Sequence, residues 1–149
     1  MEKIQFDSGI KAYRINETGI LRFNPADPNI YVRFLEAVEK LRALERELAE
    51  QARAAEGQAD GVTAVKLMAE ADRQMKAVLG WVFGSGNDFE ELLNGVNLLA
   101  VAGNGQRVVT NLLEALQPVL AEGAELCARE KTEAAVKKAR QRRGEAAGQ

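Results

Sequence analysis

Histidine is absent from the 149-residue chain, and cysteine occurs once, as Cys127. Without histidine, no side chain has an ordinary pKa suited to acid–base work near neutrality, and the commonest metal ligand is missing. One cysteine cannot close an intramolecular disulfide, build a Cys/His zinc site or act with a histidine as nucleophile. Only eight aromatics are present (one Trp, two Tyr, five Phe), so a core must come chiefly from Leu, Val and Ala, which favours helix over sheet. No apolar run reaches the roughly 18 residues needed to cross a bilayer. Met1-Glu2-Lys3 leads into an alternating segment, unlike a signal peptide. These absences predict a reducing, cytoplasmic setting, no membrane, no metal and no cofactor.

The residues that are present suffice for one domain. A chain of this length hides roughly 70% of its unfolded surface. Hydrophobic residues make up 46%, which argues against global disorder. The net charge of −2 conceals an asymmetry. Residues 57–128 hold four basic and nine acidic side chains, a net of −5, whereas residues 129–149 hold seven basic and three acidic, a net of +4. An acidic body thus carries a basic tail.

Residues 1–23 read as a β-meander of two to three short strands. Lys3-Ile4-Gln5-Phe6 alternates, Asp7-Ser8-Gly9 is a turn, and Ile10 to Ile15 alternates again. Asn16-Glu17-Thr18-Gly19 turns the chain into Ile20-Leu21-Arg22-Phe23. Asp27 is a suitable N-cap and Pro28 suits the first helical position. From there Ile30, Phe34, Ala37, Leu41, Leu44, Leu48 and Ala55 recur at helical spacing, widened by Leu35 and Val38. After a Gly57–Gly61 loop a second helix reaches about Phe83, with Val65, Met68, Met75, Leu79 and Val82 on one face. Asp72 falls in that stripe, so it must lie at the rim or meet a Lys or Arg. Asp88 caps a third helix carrying Phe89, Leu92, Leu93, Val96, Leu99 and Ala100, which Gly103-Asn104-Gly105 ends. A fourth opens with Val108, Val109, Leu112, Leu113 and Leu116, and Pro118 should stop or kink it near Gln117. The remainder of the chain is helix-prone, with fraying expected after about Lys138. The fold class is mainly α within α+β: a meander packed on a bundle of about four helices. The chain forms one domain over 1–149, with the meander at 1–23, a helical core at 28–128 and a basic tail at 129–149.

Chemistry-bearing patterns resolve into structural ones. Gly84-Ser85-Gly86 and Gly103-Asn104-Gly105 follow helices, and the third glycine of a dinucleotide loop is replaced by Phe89 or Val108. They are interhelix turns. Glu90-Glu91 and Glu36/Glu39 sit at a helix start or on a solvated face, not in one cleft. Trp81-Val82-Phe83 cannot all face one core, because consecutive helical residues point about 100° apart. At least one of the three is exposed or covered, by the N-terminal sheet or by a partner, so Trp81 and Phe83 are the candidate partner-binding side chains. Lys137, Lys138, Arg140, Arg142 and Arg143 are a candidate polyanion contact. They lack interleaved aromatics and adjoin an acidic body, so nucleic acid is the disfavoured partner. No catalytic constellation is assembled, and an enzyme is not expected.

One stretch points further. Lys3-Ile4-Gln5-Phe6, Tyr13-Arg14-Ile15 and Arg22-Phe23-Asn24-Pro25-Ala26-Asp27-Pro28-Asn29, leading into Phe34-Leu35-Glu36-Ala37-Val38-Glu39, resemble a family of small proteins encoded by tailed phages and prophages of Gram-positive bacteria. The likeness covers the N-terminal half best; Phe83-Gly84 followed by Phe89 and Leu93 is compatible with it. Members lie among tail genes and look like tail assembly chaperones. The resemblance implies a non-catalytic protein of the bacterial host cytoplasm, free of cofactors. Its task would be to hold a long helical tape-measure protein soluble until the tail tube polymerises around it, with a homo-oligomer expected; Met68 and Met75 would then be adaptable groove residues, although both also suit the core. The alternatives are a structural virion protein of the tail or connector, and a nucleic-acid-binding accessory protein using the basic tail.

Overall fold

The computed structural model describes residues 1–54 and 61–147, with side chains over 1–54, 61–129 and 133–144. Ala55 and residues 57–60 of the expected loop lie outside the described residues. Two strands, β1 (Lys11–Ile15) and β2 (Gly19–Phe23), pair antiparallel with Tyr13 opposite Leu21. Helices α1 (Pro28–Ala54), α2 (Gly61–Phe83), α3 (Phe89–Leu92) and α4 (Val108–Ala147) follow. The fold is mainly α with an N-terminal hairpin.

The hairpin obeys period two. Leu21 and Phe23 are buried and Tyr13 and Ile15 half-buried on the inner face, whereas Ala12, Arg14, Ile20 and Arg22 are exposed. Asn16, at φ 52°, supplies the left-handed residue of the connecting turn. Lys3–Phe6 is not a strand. The Asp7 carboxylate accepts the Gly9 N–H at 2.8 Å, and the Asn24 amide donates to the Ser8 carbonyl at 3.1 Å, so that turn is anchored beside β2 and does not reverse the chain onto β1.

At the start of α1 the Asp27 side chain accepts the Asn29 N–H at 2.9 Å, and Pro28 occupies the first turn. Ile30, Phe34, Ala37 and Leu41 are buried along one stripe, but Leu35 is 51% exposed. Helix α2 packs against α1 and buries Ala71, Met75, Leu79, Val82 and Phe83. Val65 stays 64% exposed, outside the stripe expected of it, because the bundle closes only from Met68 onward.

The third helix is a single turn. Asp88 caps it by accepting the Glu90 N–H, but Asn94 (φ 55°) and Gly95 (φ 77°) turn left-handed. The Gly95 N–H reaches the Glu90 carbonyl and the Asn94 N–H that of Glu91, a Schellman closure that ends the helix well before Gly103. Leu98 and Leu99 still enter the core, carried by turns and not by a helix. Pro118 does not stop α4, which runs 40 residues without a break; Leu116 and Leu120, buried on either side of the proline, hold it to the bundle. Nor does α4 end near Lys138, because Ala, Lys, Arg, Gln and Glu dominate its last turns and all favour helix. One cluster of buried side chains joins the hairpin to α1, α2, α3 and α4. Among the described residues no helix is long and apolar enough to cross a membrane.

Candidate functional site

Two apolar grooves are formed by the described residues. The first lies between the C-terminal half of α1 and the start of α2, where the two helices carry too few large side chains to close on each other. Leu48, Ala49, Ala52, Ala64, Leu67 and Met68 line it, Leu99 floors it from the 93–107 segment, and Glu45 and Arg107 stand at its rim. Its volume is about 330 Å³. The Arg107 guanidinium donates to the Leu99 carbonyl at 3.1 Å, which fixes that rim. The second groove, about 520 Å³, runs between the inner face of the hairpin and α4, lined by Tyr13, Ile15, Phe23, Leu93, Leu112, Leu116 and Val119 among others.

The sequence-predicted partner residues do not come together. Met68 is half-buried and lines the first groove. Met75 is fully buried and Phe83 is 5% exposed, so both belong to the core and are removed from the surface offered to a partner. Phe83 is held there by ring contacts to Phe23 at 4.9 Å and Phe89 at 5.7 Å between centroids. Of the Trp81-Val82-Phe83 triplet it is Trp81 that faces out, 42% exposed, with the Lys40 ammonium 3.8 Å from its ring centroid. Lys137, Lys138, Arg140, Arg142 and Arg143 are all exposed on the distal part of α4, remote in sequence from the groove residues.

A polar cluster that the sequence only half announces links α2 to its neighbours. Asp72 is 7% exposed; one carboxylate oxygen takes the Lys76 ammonium at 2.8 Å and the other accepts the Leu98 N–H at 2.7 Å. Lys76 also reaches Glu90 at 2.6 Å. Burial alone would pull the Lys76 ammonium down, but hydrogen bonds to Asp72 and Glu90, reinforced by their charges, hold it above its ordinary value. A lysine so held stays protonated and is neither nucleophile nor base. Its role is to tie α2 to α3, while Asp72 pins the Leu98 backbone.

Asn87 is a second pin. Its side chain accepts the Arg22 N–H at 2.9 Å and donates to the Arg22 carbonyl at 2.9 Å, imitating a neighbouring strand along β2. The same amide donates to the Phe83 carbonyl, closing the end of α2. The i to i+4 spacing of Asp72 and Lys76 is legible in the sequence; the long-range partners Leu98, Glu90 and Arg22 carry no local signal.

No family model, curated protein or solved structure matches the chain.

Proposed function

We propose that the chain is a non-catalytic binding protein, a phage tail assembly chaperone that covers the apolar seam of a long helical tape-measure-like partner. The observation that carries this reading is the groove between α1 and α2. Its walls are helical, its lining is apolar, and Ala49, Ala52 and Ala64 are small enough to admit a third helix at the 8–10 Å usual between packed axes. Glu45 and Arg107 at the rim offer charges of both signs to the polar flanks of an amphipathic helix. Met68 supplies an adaptable contact suited to imperfect seams.

Such a partner needs cover because a long helix with an unpaired apolar stripe aggregates. Co-expression with the long helical tail protein should keep that protein in the soluble fraction, and Ala52→Arg or Ala64→Arg, both at exposed positions, should abolish the effect without unfolding the chain. Equal solubility with and without the chain, or with the arginine variants, would sink the proposal. Co-purification with finished particles would favour the structural virion reading instead.

A further inference from the structure

Residues 1–8 are exposed, and two of their apolar side chains are almost wholly in solvent, Ile4 at 91% and Phe6 at 78%. Spaced by two, they would share one face of the segment when it is extended. The Asp7–Gly9 turn is tied to Asn24, and among the described residues β1 pairs with β2 and not with residues 3–6.

Among the described residues the sheet has two strands only, so none of them pairs with the outer edge of β1. Asn87 bonds both backbone polar groups of Arg22, so Arg22 faces away from β1. Alternation in an antiparallel pair then makes its partner Ala12, and Arg14 two residues on, face outward from β1. Nothing among the described residues bonds these outward groups. A strand laid there would set every second side chain beside Tyr13 and Ile15, over the groove floored by Leu112 and Leu116.

We infer that residues 3–6 of one copy of this chain add as a third strand to β1 of a second copy, seating Ile4 and Phe6 in the hairpin–α4 groove, with reciprocal exchange giving a two-fold dimer. A helical partner could fill the groove but would leave the Ala12 and Arg14 backbone groups unpaired. The arm supplies both the backbone and the period-two apolar face, and an open strand edge is a template for such pairing. This surface is separate from the α1–α2 groove, so either reading can fail without the other.

Sedimentation equilibrium of the full chain should show a dimer. Phe6→Asp should weaken self-association about 10- to 100-fold, the equivalent of one buried aromatic. Ala115→Arg, at an exposed position on the groove wall, should act in the same direction, with helical circular dichroism unchanged in both. In Cys127→Ser backgrounds under a mild chemical oxidant, Phe6→Cys on one tagged copy should form a disulfide with Ala115→Cys on another. A monomer at all concentrations, self-association indifferent to both variants, or a disulfide formed only when both cysteines lie on one copy would overturn the inference.

Discussion

Gly123 on α4 lies directly against the carbonyl of Pro25, so close that a Cβ at Gly123 would overlap that oxygen. Helix α4 therefore crosses the Asn24–Asp27 turn at the point where that turn feeds α1. Gly123→Ala should destabilise the protein despite alanine's better helix propensity, worth about 1 kcal/mol. The clash is with backbone, which cannot step aside as a flexible side chain would, so the upper part of the usual overpacking range of about 1–3 kcal/mol applies. Gly80→Ala in α2 is the control, since its Cβ would meet nothing nearer than the Asn87 carbonyl at 3.8 Å. Thermal melting should show Gly123→Ala lowered and Gly80→Ala unchanged or raised; the reverse order would refute the contact.

The Asp72–Lys76–Glu90 cluster predicts a graded series. Lys76→Met should cost about 3–5 kcal/mol, the usual penalty for leaving a buried charge without its counter-ion. Asp72→Ala should cost a similar amount, because it strands the Leu98 N–H as well. Glu90→Gln should cost less than about 1 kcal/mol, since its side chain is 58% exposed and water takes over its role. Urea titrations of the three variants would test the ranking, and equal losses would contradict it.

Alkaline pH should destabilise the protein through two groups. The Lys76 ammonium is held above its ordinary value of 10.5 against the pull of burial, by Asp72 and Glu90, and the Tyr13 phenol is raised above 10.0 by burial and then by the Glu122 carboxylate. A group whose folded pKa is raised contributes stability that is complete below its unfolded pKa and disappears as pH climbs through the folded one. Both contributions are thus intact at neutral pH and fade above about pH 10. Glu122→Gln should bring the spectroscopic titration of Tyr13 partly back toward 10.0, leaving the share due to burial. A phenol titration identical in the variant would show that Glu122 does not act on it.

The helical plan is legible because it is written locally. Capping at Asp27 and Asp88, the α1 stripe and the two-residue alternation of the hairpin each depend on neighbours a few positions away. Asn94-Gly95, a pair that turns left-handed at little cost, goes unmarked because the apolar spacing of Leu93, Val96 and Leu99 runs through it and predicts a helix that the chain does not form.

Composition and periodicity by themselves determined that this chain would be mainly helical with a small N-terminal sheet, because residue type and spacing set which backbone conformations can bury an apolar face. Tertiary structure alone decided that Met75 and Phe83 would be core while Trp81 faces water, that Asp72 would find Leu98, and that Lys3–Phe6 would stand off as an arm. Those outcomes hang on contacts between positions distant in the chain, whose energies no local pattern encodes.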